Sequence, residues 1–171
     1  MSFNVAIDGP AGAGKSSVAK AVAAEKGFIY VDTGAMYRAM ALYFMRKGID
    51  RADETAIRNA CEDVVISITY ENGMQQVLLN GENVSGLIRT EEVGNMASAT
   101  SGYRSVREKL VELQKALARK ADVVMDGRDI GSFVLPDADV KVYLTAGSRV
   151  RAMRRYKELT EKGVSCNLDE I

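Results

Sequence analysis

Histidine is absent from the 171 residues, and its absence excludes His-based catalytic triads and the usual zinc sites. Cysteine is nearly as scarce. Cys61 and Cys166 lie far apart and without C-x-x-C spacing, which favours reduced thiols in a cytosol over a disulfide framework. Neither sign of charge prevails, since 23 Lys and Arg balance 23 Asp and Glu. That balance argues against a nucleic acid polymer or an anionic membrane as partner, and any anionic ligand must be held by a local cluster. No apolar run approaches the roughly 18 residues of a membrane span. The first residues go straight into a strand-like run with no signal-peptide layout, so a cytoplasmic protein is expected and the sequon Asn83-Val84-Ser85 is read as chance. Repeats and low-complexity tracts are lacking. The length suits one domain with small insertions.

What is present alternates between strands and helices. Strand-like runs are predicted at Phe3 to Ile7, Phe28 to Val31, Val123 to Met125 and Val140 to Leu144, the last two being the apolar type found in parallel sheets. A helix is expected from Lys15 to about Lys26, with Val18, Val22 and Ala23 on its inner face and Gly27 as its stop. Others are read at Ala35 to Lys47, ended by Gly48, and at Glu54 to Cys61. Ser105 to Glu108 fits a capping box that opens a helix running to Ala118. Between these, "VVISITYENGMQQVLLNGENVSG" alternates with period two and is cut by Asn72-Gly73 and Asn80-Gly81, both hairpin signals. It reads as a small antiparallel β unit inserted in an α/β chain. Strands alternating with helices imply a parallel sheet with helices on both faces, and ligands beyond the strands' carboxyl ends. Gly9, Asp32 and Asp126 each fall at such an end.

Gly9-x-x-x-x-Gly14-Lys15-Ser16 follows a predicted strand and opens a predicted helix. The candidate cradle is Gly9, Pro10, Ala11, Gly12, Ala13, Gly14, Lys15, Ser16 and Ser17. Its glycines let successive N–H groups face inward as an anion nest, and the helix adds its positive end. Lys15 can reach the outer phosphates of a nucleotide, and the Ser16 hydroxyl can ligate Mg²⁺. Asp126 has two readings: it orients Mg²⁺ or its waters, or it caps the neighbouring loop.

Opposite this cradle, polar groups cluster at two more strand ends. Arg38 sits one turn into a helix beside Tyr37, and Arg107 lies in the first turn of its own, where a cation opposes the macrodipole. Arg128 stands between Asp126 and Asp129, either in an internal ion pair or facing a ligand. Together these suggest a second anion site. Arg149, Arg151, Arg154 and Arg155 crowd a last helix on which 151 and 155 share a face. It is either a solvated surface or a lid whose arginines close over the phosphates and exclude water.

"IDGPAGAGKSS", "VDTGAMYRA", "LNGENVSGLIRTEEVGNMAS", "VREKL" and "VVMDGRDIGSFVLPDADVKVYL", in this order along essentially the whole chain, resemble the bacterial cytidylate kinases. The resemblance implies a three-layer P-loop fold and transfer of the γ-phosphoryl of ATP to CMP or dCMP, assisted by Mg²⁺, in a monomer. It implies that Thr33 and Gly34 line the monophosphate pocket and that Tyr37 and Arg38 form the family's Tyr-Arg pair, with Arg38 on the acceptor phosphate. Ser98, Arg107 and Asp129 match residues that read the cytosine edge, and Arg128 matches an arginine reaching the acceptor phosphate. Lys15, Arg38, Arg128, Arg151 and Arg155 are the expected catalytic set. A carboxylate with an arginine and a hydroxyl suits cytosine's amino donor beside its N3 and O2 acceptors, and leaves groups unpaired against uracil.

The expected organisation is a kinase core at 1–62 and 87–147, the inserted β unit of the CMP region at 63–86, and an incomplete lid at 148–171. The family pattern continues past Ile171, so a shortened chain with impaired turnover is expected. Two alternatives remain at this level: a P-loop kinase for another small acceptor (UMP, AMP or a shikimate-like compound), or a fragment that binds nucleotide without turning it over.

Overall fold

The computed structural model describes residues 1–161, 163–169 and 171. In chain order the elements are β1 (Asn4–Asp8), α1 (Lys15–Lys26), β2 (Ile29–Asp32), α2 (Thr33–Arg46), α3 (Glu54–Asp63), β3 (Ile66–Glu71), β4 (Met74–Leu79), β5 (Glu82–Asn83), α4 (Glu91–Thr100), α5 (Arg104–Lys120), β6 (Val123–Gly127), a π-helical stretch (Ile130–Val134), β7 (Val140–Tyr143) and α6 (Ser148–Glu161). The lid expected over 148–171 includes positions 162 and 170, which lie outside the described residues.

Because successive strand residues face opposite sides, the short apolar runs supply two cores at once. Ala6, Val31, Val123 and Met125 face a large core shared with Ala35, Met36, Met40 and Phe44 of α2 and with Val106 and Leu110 of α5. Their neighbours Val5, Ile7 and Val124 face a smaller core closed by Ala19 and Ala23 of α1. Phe44, Met36 and Met40 are each 0% exposed, and burial of such a side chain stabilises by about 1.5–3 kcal/mol. The result is a parallel sheet in the order β2-β6-β1-β7 between two helical layers. The expected α/β, three-layer P-loop architecture is what the chain adopts.

Register aligns the strand ends that matter. Asp32 pairs with Asp126, and Asp8 pairs with both Gly127 and Tyr143. The loops after β1, β2 and β6 therefore leave from one edge of the sheet.

The inserted unit is a three-stranded antiparallel sheet, β3-β4-β5. Its turns fall at Asn72-Gly73 and Asn80-Gly81, with φ of 50° and 76° in the first and 48° and 86° in the second. Consecutive left-handed residues match the twist of a two-residue hairpin, and Asn and Gly adopt them at least cost. Gln75 on β4 clamps this unit to the main sheet. Its Oε1 accepts from the Asp32 N–H at 2.9 Å and its Nε2 donates to the Asp32 carbonyl at 3.2 Å.

Several local expectations are corrected. Val18 is 40% exposed, and Ala19 takes the inner position instead. β7 pairs in parallel with β1 as expected, but it is the sheet edge, so Val140 and Val142 remain 41% and 40% exposed. α2 begins at Thr33, two residues early, because the Asp32 side chain caps it by accepting from the Ala35 N–H at 3.0 Å. The capping box at Ser105 does not form. α5 opens at Arg104 after Tyr103 without a side-chain cap, and Glu108 is taken by Arg104 Nε at 2.6 Å. α4 and the π-helical stretch carry no plain periodic signal and add to the expected elements.

Candidate functional site

α2, α3 and α4 begin with a side chain (Asp32, Asp53, Thr90) accepting from the first turn. α1 begins with Gly14 at φ 94°, which offers no side-chain cap. Its first N–H groups therefore have no side chain to satisfy them, and an anion at this positive helix end can. Gly9, at φ 147°, allows the strand to turn into the loop: a Cβ there would lie 2.0 Å from the Leu144 carbonyl oxygen. Glycine alone fits that approach. Within the loop, Lys15 Nζ folds back onto the Pro10 carbonyl at 2.9 Å.

Behind the loop sits Asp126, a carboxylate 5% exposed at the end of β6. Ser16 Oγ donates to its Oδ2 at 2.8 Å and Tyr30 Oη to its Oδ1 at 3.0 Å. Burial raises the Asp126 carboxyl above the ordinary carboxylate range, against the lowering pull of the Ser16 hydrogen bond. Burial lowers the Lys15 ammonium, opposed by the Asp126 charge and assisted by that of Arg128. Among the described residues no group of three or more His, Cys, Asp or Glu forms an all-protein metal cage. The Ser16 hydroxyl beside the Asp126 carboxylate is instead the sparse oxygen set that suits a hard cation retaining waters and phosphate ligands. The donor chemistry fits Mg²⁺.

A second set of polar contacts involves Tyr37 and Arg38 of α2, Arg107 of α5 and Asp129 just after β6. Arg107 Nη2 donates to Asp129 Oδ2 at 2.5 Å, and the guanidinium carbon lies 5.1 Å from the centre of the Phe133 ring. Tyr37 is held close enough that the charges of both Arg107 and Asp129 act on its hydroxyl, while burial raises it. Arg38 crosses from α2 to donate to the carbonyls of Ile88 at 3.1 Å and Thr90 at 3.3 Å. Burial lowers its guanidinium, the positive charges of Arg89 and Arg155 add to that, and Asp32 opposes it. Arg89 in turn pairs with Asp32 at 2.9 Å. The internal pair considered for Arg128 does not form. Asp129 is engaged by Arg107 and Asp126 by Ser16 and Tyr30, and among the described residues Arg128 has no ion pair or hydrogen bond.

A profile of the family described as cytidylate kinase matches residues 5–171. The cytidylate kinase of Lactobacillus johnsonii is 52% identical over 169 residues, covering 99% of this chain and 74% of that protein. Those of Bacillus pumilus and Bacillus subtilis are 48% and 45% identical, each over 99% of this chain and 75% of the relative. The chain belongs to the cytidylate kinase family.

Of the candidate site residues, Lys15, Ser16 and Asp126 form one cluster, and Tyr37, Arg107 and Asp129 a second. Arg128 lies between them along the chain, in the loop that leads from Asp126 to Asp129. The Thr33 hydroxyl is 4% exposed and donates to the Asp126 carbonyl at 2.8 Å, so its proton is spent inside the fold. Gly34 follows in the first turn of α2, and the exposed Ser98 lies on α4, its carbonyl accepting from Ser101. On α6, Arg151 Nη1 reaches the Ala11 carbonyl at 3.4 Å and Arg154 Nη1 the Gly12 carbonyl at 2.9 Å. Arg155 pairs with Glu158 at 3.2 Å. Sequence reasoning passed over Tyr30, Gln75, Arg89 and Asp8. Only Asp8 left a signal, a carboxylate immediately before Gly9 at a strand end.

Proposed function

We propose that this chain transfers the γ-phosphoryl group of ATP to CMP or dCMP, giving the diphosphate by direct in-line displacement without a covalent enzyme intermediate. The observation that carries the reading is the Ser16–Asp126 hydrogen bond at 2.8 Å. It joins the start of α1, behind the glycine loop, to the end of β6, the strand that leads into Arg128 and Asp129, and this supports transfer between two nucleotides bound side by side.

In this reading Gly9 to Ser17 hold the ATP phosphates by backbone N–H groups, and Lys15 neutralises charge on the outer two. Ser16 and Asp126 would hold Mg²⁺, which would offset charge on the phosphate oxygens. Arg38 and Arg128 hold the acceptor phosphate and stabilise charge spread over the transferring group. Thr33, Gly34 and Tyr37 shape that pocket, while Ser98, Arg107 and Asp129 present the polar edge that selects cytosine. The segment from 148 onward acts as a lid, with Arg151 and Arg155 brought toward the transferring group. No residue of α6 is buried, which fits an element that lifts and closes.

The deciding experiment is a coupled ADP-release assay with CMP, dCMP, UMP, AMP and shikimate. Turnover with CMP and dCMP far above the others is expected. ADP release that is independent of acceptor, or that favours AMP or shikimate, overturns the proposal.

A further inference from the structure

Asp8 closes β1 one residue before the phosphate loop, and both of its carboxylate oxygens are committed elsewhere. Oδ1 accepts from the Ile130 N–H at 2.7 Å and Oδ2 from the Gly131 N–H at 2.8 Å. These two amides follow Arg128 and Asp129 directly. On the other side of that pair, Gly127 is the register partner of Asp8 in the β1–β6 ladder. The Arg128-Asp129 dipeptide is therefore strung between two points fixed by one residue, the backbone of Asp8 at its start and the side chain at its end. The Asp129 carbonyl accepts from Phe133 N–H at 2.9 Å and Val134 N–H at 3.3 Å, which ties the same loop into the π-helical stretch. The Asp8 carbonyl also accepts from Leu144 N–H at 2.7 Å, anchoring β7.

We propose that Asp8 is a positioning residue that sets the distance between the phosphate cradle and the acceptor-reading loop. The inference rests on the kinase reading above and adds to it the residue that keeps Arg128 and Asp129 in step with Lys15. A carboxylate suits the task because two parallel charge-assisted bonds to backbone N–H groups fix orientation as well as distance. Asparagine at this position keeps one acceptor but turns an NH₂ toward a backbone N–H, so one bond is lost and a donor faces a donor.

The test compares wild type, Asp8→Asn and Asp8→Glu by titration calorimetry with CMP and, separately, with a non-hydrolysable ATP analogue and Mg²⁺. Amide exchange at Ile130 and Gly131 is followed alongside. For D8N the CMP Kd is expected to rise about tenfold, equivalent to about 1.4 kcal/mol, with the ATP-analogue Kd unchanged and exchange at both amides faster. D8E, which keeps the carboxylate one methylene further out, should show the same split to a smaller degree, and it carries the comparison if D8N does not fold. CMP and ATP-analogue affinities that weaken in parallel, or a CMP Kd that stays at the wild-type value, overturn the inference. Wild-type protein that binds neither CMP nor dCMP overturns the kinase reading itself and this inference with it; wild-type binding with no D8N effect overturns this inference alone.

Discussion

Ser16 Oγ lies 2.8 Å from Asp126 Oδ2 across 110 positions of sequence. The second residue of α1 and the end of β6 thus meet behind the phosphate loop, and the hydroxyl donates to a carboxylate that burial has already made harder to ionise. Holding a charge there is costly without a cation nearby.

Replacing that carboxylate separates its chemical from its structural worth. Asp126→Asn is expected to lower kcat about 10- to 100-fold, the range seen when a group supporting a metal is removed. The melting temperature without nucleotide should change little, because a buried charge is removed while asparagine keeps one acceptor and a neighbouring hydroxyl can turn to accept from its NH₂. Steady-state kinetics and calorimetry on the ligand-free protein check both parts.

Arg38 reaches across to the segment before α4 and is half-buried. Arg38→Ala is expected to raise the KM for CMP and also lower kcat, reducing kcat/KM for CMP about 10- to 100-fold if one charge-assisted contact of about 1.5–3 kcal/mol is lost. The KM for ATP should change little. CMP kinetics equal to wild type would remove Arg38 from the acceptor site.

Asp129 is held by Arg107 at 2.5 Å beside the Phe133 ring. Asp129→Asn should narrow the preference for CMP over UMP, since an amide can present a donor to the uracil carbonyl where the carboxylate could not. Competition between the two acceptors measures it. A preference unchanged by the substitution would place base selection elsewhere.

Arg154 donates to the Gly12 carbonyl, within the glycine loop that precedes α1. Arg154→Ala is expected to raise the KM for ATP a few-fold, about 1 kcal/mol for an exposed hydrogen bond, and to leave that for CMP alone. A change confined to CMP would put α6 over the acceptor instead.

Cys61 is 5% exposed and burial pushes its thiol up from the ordinary value, with the Ser105 hydrogen bond pulling the other way. It should react with iodoacetamide far more slowly than Cys166 in the native protein, and at a similar rate in denaturant. The raised thiol stabilises the fold below the ordinary thiol pKa of 9.0, and that contribution is lost as pH rises through the folded value. Peptide mapping after timed alkylation checks the first part, and melting curves of wild type and Cys61→Ala across alkaline pH check the second.

Local chemistry is what the sequence shows well. Both Asn-Gly hairpins, the glycine loop opening α1 and the Gly27 stop depend on a few adjacent residues whose backbone preferences act without the rest of the chain. The capping box at Ser105 failed for a nearby reason: Glu108 has a competing partner in Arg104, and the cap position moved two residues back, to Tyr103. Val18 and Ala19 were exchanged because apolar character alone does not say which side of a helix the sheet will cover.

The amino-acid sequence by itself determined the α/β alternation, the phosphate cradle, the inserted hairpin unit and the family to which the chain belongs, because each is written in contiguous residues. Tertiary structure alone decided that Asp126 receives Ser16 and Tyr30, that Gln75 clamps the hairpin unit to Asp32, that Asp129 turns to Arg107 and not to Arg128, and that Asp8 braces the loop after β6. Those pairings join residues from 22 to 122 positions apart. They exist only once strand order and register have brought the strand ends to one edge, and nothing in local propensity encodes strand order.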